Sequence, residues 1–227
     1  NFTQGSIYKE LISRERHGDF LGGTVQVIPH VTDAIKGKLY RIAERSQADF
    51  VITEIGGTVG DIESQPFIEA ARQFKNEQFP GNVIFVHCTL VPYIAAAHEI
   101  KTKPTQHSVK ELRSMGVQPD FIVCRSDHEI TLKVREKIAA FCDVPVDNVL
   151  ACEDSPSIYE VPIKLHEQEF EAKVLAHVGL SIRRCNLKPL QAFLKAMNSC
   201  TDSVKIGIVG KYTSLPDAYL SVIEALH

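Results

Sequence analysis

The chain has 227 residues, 44% of them hydrophobic and 23% charged, with a net charge of -3. This is the composition of a soluble globular protein, and it gives no electrostatic case for nucleic acid or an anionic membrane as a partner. No run of about 18 apolar residues occurs and no Arg/Lys stripe alternates with aromatics, so neither a membrane span nor a nucleic-acid surface is expected.

Strand-like and helix-like periods alternate along the chain. Ile7, Tyr8, Leu11 and Ile12 fall on one face of a predicted helix in SIYKELISRER. TVQVIPH reads as a strand. Thr32 can cap a helix whose apolar face is Ile35, Leu39, Ile42 and Ala43. DFVIT is a short strand. Ser64 then reads as an N-cap with Pro66 in the first turn and Phe67, Ala71 and Phe74 on one face. NVIFVHCTLVP lacks alternation, as a parallel strand buried on both faces does. TQHSVKELRSMG is a helix ended by Gly116. DFIVC is a further strand, TLKVREKIAAFC a helix with Val134, Ile138 and Phe141 inward, and NVLACED a strand ending in acids. Near residue 185 the pattern breaks, CNLKPLQAFLKAMNSCTDS reads as a helix between polar turns, and VKIGIVGKY with LPDAYLSVIEALH reads as a fresh strand and helix.

Repeated βα units of this kind predict an α/β fold, a doubly wound and mostly parallel sheet with helices on both faces. Ligands of such sheets bind beyond the carboxyl ends of the strands. Glu54, the HCTLVP exit, Cys124-Arg125-Ser126 and Glu153-Asp154 are strand exits and are expected along one rim. The domain reading is 1–189 for the first domain, 190–203 for a linker and 204–227 for the first βα unit of a second domain. The start lacks an initiator Met and a signal-peptide pattern, and the end stops inside a helix period. Both ends read as cut.

Of the six cysteines, none forms a Cys-x-x-Cys pair and several sit in apolar runs. That spacing argues for a reducing cytosol and buried thiols, rather than disulfides or zinc. The nine histidines are scattered without a His-Glu-x-x-His spacing and read as structural.

Four stretches carry chemistry. In EIGGTVGDIES a lone acid, Glu54, closes an apolar strand and is followed by Gly56, Gly57 and Gly60. An acid so placed can hold the magnesium of a nucleoside triphosphate, and the glycines let phosphate or substrate approach the backbone. It can equally pair with a surface Lys beside a plain turn. Asp61 and Glu63 either favour the following helix dipole or accept hydrogen bonds from a sugar or base. In KTKPTQ, Lys101 and Lys103 flank Thr102, and Pro104, Thr105 and Gln106 lead into a helix, a good site for a polyphosphate. Lys137, one turn from Phe141, either joins that anion site or is an exposed lysine near the core. RHGDFLGGTVQ is a lid or a plain connection. No Gly-x-x-x-x-Gly-Lys-Ser/Thr loop and no Gly-x-Ser-x-Gly elbow occurs.

The segments GDFLGGTVQVIPH, EIGGTVGDIESQPF, KTKPTQHSVKEL, PDFIVCRSD, KIAAFC, SIY and VGKYTSLPDAYLSVIEAL, in this order, resemble the CTP synthase family from end to end. The resemblance implies a P-loop NTPase-like amidoligase domain followed by the start of a class I glutaminase domain. It implies a ligase, cytoplasmic, that converts UTP, ATP and glutamine to CTP, ADP, phosphate and glutamate. ATP phosphorylates the uracil carbonyl, and ammonia released from glutamine displaces phosphate. GTP is implied as activator, CTP as inhibitor, and a homotetramer with nucleotide sites at subunit interfaces as the assembly.

Carried over by position, Glu54 matches the Mg2+-binding Glu, and Asp61, Ile62 and Glu63 the nucleotide-binding segment. Lys101, Thr102, Lys103, Pro104, Thr105 and Gln106 match the UTP/CTP loop, with Lys137 as partner. Glu153, Asp154 and Ser155 lie where the family contacts ATP, Ser155 standing where it usually has a small apolar residue. The family's P-loop and its glutaminase Cys-His-Glu are not matched by any residue here, so this polypeptide alone is expected to be inactive. The alternatives are a noncatalytic CTP/UTP-binding regulatory module and a dethiobiotin-synthetase-like ligase, the second disfavoured by KTKPTQ.

Overall fold

A computed structural model describes residues 1–226. Its centre is a three-stranded parallel sheet in the order β1 (Val86–Leu90), β4 (Phe121–Ser126), β5 (Val149–Glu153). Val86 pairs with Phe121 and Ile122 with Val149, so the three strands end together at Leu90, Ser126 and Glu153. β2 (Tyr93–Ile94) and β3 (Glu99–Ile100) form a small hairpin just beyond β1.

Each parallel crossover runs through a helix, α4 (Lys103–Ser114) between β1 and β4 and α5 (Leu132–Cys142) between β4 and β5. Both crossovers step the same way across the sheet, so a right-handed connection puts both helices on one face. The alternation of β4 shows it. Ile122 and Cys124 are fully buried with Val109 of α4 and Ile138, Ala139 and Cys142 of α5. Phe121 points to the other face and meets Phe170 edge-on, with ring centroids 5.4 Å apart. Phe170 opens α7 (Phe170–His177), which follows α6 (Val161–Glu167). The sheet is therefore covered on both sides, as the βα pattern predicts.

A second cluster joins α1 (Gln4–His17) to α2 (Thr32–Ser46) and α3 (Gln65–Glu77) through Ile7, Leu11, Val31, Ile35 and Ala70. α1 starts at a Thr3–Ser6 capping box and ends at Gly18 in the left-handed region. Ser64 and Pro66 take the predicted places at the start of α3. A third cluster, Ile68, Leu112 and Val117, locks α3 against α4.

Five expectations are corrected. Residues 24–30 form a π-type turn at Val27–Val31 in place of a strand. Residues 49–53 and 204–212 form no strand either. Neither segment finds a neighbouring strand among the described residues, and a parallel strand without a ladder leaves its amides to water. Their apolar side chains are accordingly open, Ile52 at 96% and Val209 at 98% exposure. Phe141, expected inward, lies on the outer side of α5 and is 58% exposed. Cys124 and Cys142 are buried as expected, while Cys88, Cys185 and Cys200 are exposed, against the expectation of buried thiols. Beyond α7, α8 (Lys188–Ser199) spans most of the predicted linker, and α9 is Leu220–Leu226. His227, the last residue of the predicted final helix, lies outside the described residues.

Candidate functional site

The carboxyl rim of the sheet is where the predicted nucleotide loop begins. The Lys101 amide donates to the Pro92 carbonyl at 2.9 Å, and Thr105 Oγ1 meets Thr89 Oγ1 at 3.1 Å and the Leu90 carbonyl at 3.4 Å. These contacts tie the start of α4 to the end of β1. Thr102 and Gln106 are buried and bond each other, Nε2 to Oγ1, at 3.0 Å. Pro104 fixes the first turn. Of the six loop residues, then, Thr102 and Thr105 build the loop while Lys101 and Lys103 carry its charge. Lys101 Nζ lies 2.5 Å from Glu99 Oε2. That ammonium holds the Glu99 carboxyl below its ordinary range, with Lys137 adding a smaller attraction.

Lys103, Gln106, His107, Lys110, Arg113 and Phe141 line a cavity of ≈ 300 Å³. Lys103 Nζ sits 5.4 Å from the centroid of the Phe141 ring, a cation–π contact. His107, Lys110 and Arg113 were not among the predicted site residues. The signal was present in the sequence: positions 103, 106, 110 and 113 recur at helical spacing and form one stripe. What reads as an ordinary solvated helix face becomes the wall of a cation-rich cavity because Phe141 faces outward beside it.

The acids gather elsewhere. Glu54, Asp61 and Glu63 line a cavity of ≈ 250 Å³ with Gly56, Gly57, Ser64 and the start of α1, Phe2 to Gln4. Asp61 Oδ2 accepts from the Thr58 amide at 3.1 Å, closing the glycine loop on itself. Gly57 and Gly60 take φ values of 93° and 103°, which side chains adopt only with strain. Ile62 is 77% exposed beside them. Ser64 at the N-cap of α3 turns its Oγ back to donate to the Asp61 carbonyl at 2.9 Å instead of capping the helix. Glu54 also stands close enough to β1 to act on Cys88, whose thiol is pushed up by desolvation first, then by Cys152 and Glu54.

The two cavities share no lining residue, and the cationic one runs along most of α4, from Lys103 to Arg113. Val59 packs with Leu112, and a Cβ on Gly60 would meet Glu111 Cγ at 3.5 Å. One chain brings Glu54, Asp61 and Glu63 together, and separately Lys103 and Gln106 with the unforeseen cations.

The predicted ATP contacts end β5. Glu153 Oε1 accepts from the Ile130 amide at 3.1 Å, its carbonyl from Lys164 Nζ at 3.0 Å, and Asp154 Oδ1 from Arg125 Nε at 3.0 Å. Ser155 Oγ turns back to the Glu153 carbonyl at 3.4 Å. These groups share the rim with Lys101 through the common strand ends.

With this layout in view, comparison with known proteins settles the family. The description "CTP synthase N-terminus" matches residues 1–180. The chain belongs to the CTP synthase family. A CTP synthase of Symbiobacterium thermophilum is 55% identical over 228 residues, those of Bacillus subtilis and Staphylococcus carnosus 50% and 52%, each match covering 100% of this chain. The chain spans 42% of the length of these relatives. Matches at this identity along the whole chain do not favour the free-standing regulatory module.

Proposed function

We propose that this chain is the amidoligase portion of a glutamine-hydrolysing CTP synthase, which aminates UTP to CTP at the expense of ATP. The observation that carries the reading is a cation-lined cavity with an open aromatic ring and a carboxylate cavity in one chain of that family. Lys103, Lys110 and Arg113 attract a triphosphate, and the Phe141 face offers a hydrophobic wall for the bound nucleotide. Lys101 and Lys137 extend the same positive field to the rim, where Glu153, Asp154 and Ser155 receive ATP. Catalysis on this reading is positioning and charge neutralisation.

Three exposed carboxylates around a small cavity suit a hard cation with oxygen ligands. Glu54 would hold Mg2+, with Asp61 and Glu63 close by. That ion supplies neutralisation of phosphate charge. The glycines leave the backbone open to the substrate, and Asp61 and Glu63 accept hydrogen bonds from its sugar or base. The acids and the lysines line separate cavities of one chain, which favours a homotetramer in which one chain offers acids and its neighbour lysines. Residues 1–189 form the amidoligase unit, 190–203 the linker, and 204–227 the opening of the glutaminase, in a cytoplasmic enzyme activated by GTP and inhibited by CTP.

The test is done on the full-length protein. Glu54→Gln should lower CTP formation by at least about 100-fold, the scale of losing a preorganised electrostatic group, while glutamine hydrolysis persists. Glu63→Ala and Lys103→Ala chains, each impaired alone, should regain activity when reassembled together. CTP formation at the parent rate in Glu54→Gln removes Glu54 from the metal role. Absence of complementation removes the shared site.

A further inference from the structure

His166, Glu171 and Cys185 come from three segments, α6, α7 and the stretch between α7 and α8, and play no part in the site above. One donor atom from each lies within 4.8 Å of the other two. His166 Nδ1 and Glu171 Oε1 are already in direct hydrogen-bond contact. The turn between them is held by Gln168, whose side-chain amide bonds both the N–H and the C=O of Ala151 in β5 at 2.8 Å. The imidazole and carboxylate are therefore mounted on the sheet edge, while the exposed Cys185 thiol is brought to them by the following loop.

We propose that these three side chains form a zinc site with an open fourth position. An imidazole, a carboxylate and a thiolate make a borderline-soft donor set that suits zinc and not magnesium or calcium. Bond lengths of about 2.0–2.3 Å in a tetrahedron place donors roughly 3.3–3.7 Å apart. The widest separation here must shrink by about 1 Å and the His166–Glu171 contact must open, both within rotamer adjustment of partly exposed side chains. The missing Cys-x-x-Cys spacing does not bear on this arrangement, because its ligands follow one another at 5 and 14 residues and meet only in the fold. A surface His–Glu ion pair with a thiol nearby is the plainer account, and it differs in one respect: it forms no thiolate–metal bond. The zinc would pin residues 180–187, which contain Arg183 and Arg184, onto α6 and α7. α6 also carries Lys164 to the Glu153 carbonyl at 3.0 Å, so the tether would act on the helix that supports the rim.

The experiment titrates reduced, metal-free protein of this chain with Co2+ as probe, followed by Zn2+. The expected result is a thiolate-to-cobalt charge-transfer band saturating at one equivalent and displaced by Zn2+. Cys185→Ser should abolish the band and weaken Zn2+ binding at least tenfold, with circular dichroism unchanged because the residue is exposed, while Cys200→Ser keeps both. His166→Gln should weaken binding and leave the band. Zn2+ should slow tryptic cleavage at Arg183 and Arg184 in the parent and not in Cys185→Ser. No band in the parent at saturating Co2+, or a band that survives Cys185→Ser, overturns the site.

Discussion

Replacing Gln168 measures what a side chain contributes when it stands in for a strand. β5 is an edge of the described sheet, and an edge strand presents unpaired backbone groups. Gln168 answers them with one amide: Oε1 accepts from the Ala151 N–H, and Nε2 donates to the Ala151 and Lys164 carbonyls at 2.8 and 3.0 Å. Gln168→Ala deletes all three bonds, each worth about 1 kcal/mol net, and leaves Ala151 half-buried with neither group paired, so the loss should be about 2–3 kcal/mol. Gln168→Met keeps the methylene packing and loses the same bonds, and it should cost nearly as much. For a chain of this size that is a fall in Tm of about 5–10 °C, and in urea, with m of about 1–3 kcal/mol/M, a midpoint shift of about 1–2 M. Faster hydrogen exchange at the Ala151 amide would localise the effect. A loss under about 0.5 kcal/mol in both variants refutes the account. Full recovery in Gln168→Met shows that the methylenes, not the amide, hold the edge.

Burial pushes the Cys124 thiol up to about 12 and the Cys142 thiol up to about 11. A thiol raised above its unfolded value of about 9 keeps its full contribution below that pH and loses it as pH rises through the folded value, so each group should cost about 1.4 kcal/mol per pH unit inside its window. Chemical denaturation from pH 8 to 11 checks this, and Cys124→Ala should flatten the slope; an unchanged slope contradicts it. Gly60→Ala should cost about 1–3 kcal/mol from its φ of 103°, since the added Cβ finds ordinary contact distance. Gly56→Ala, with no positive φ and no atom within 4 Å, should be near neutral. Equal stabilities of the two variants would mean that the loop's backbone is not fixed as described.

The parts legible in the sequence are those whose residues satisfy one another locally. β4 and β5 read as buried apolar runs and fold as such, with Phe121, Ile122, Cys124, Val149 and Leu150 almost fully covered. Ser64 and Pro66 marked the start of α3, while α4 begins at Lys103, two residues before the predicted Thr105. The missing strands have a shared cause. DFVIT and VKIGIVG have strand composition, but strand formation belongs to a pair, and neither pattern can say whether a neighbour exists. Phe141 failed differently. Its spacing from Val134 and Ile138 suits an inward position, yet Ile138 alone is fully buried, and the ring instead covers the Lys103 ammonium.

That last departure bears on how the site works. A buried Phe141 would have stabilised α5 by about 1.5–3 kcal/mol relative to exposure. The fold forgoes much of this and holds the ring at 58% exposure beside Lys103, Lys110 and Arg113. Like charges along one helix face repel, and the ring offsets only part of that repulsion. The acids that might have neutralised the stripe, Glu54, Asp61 and Glu63, line a different cavity. Arg113 is paired with Asp143 at 3.7 Å, and the remaining charge of one sign, gathered around a small concavity, would raise the local concentration of a polyanion and speed its capture. An anion bridging to the acids through a cation would satisfy both sets at once, which is the arrangement a magnesium-loaded nucleotide provides.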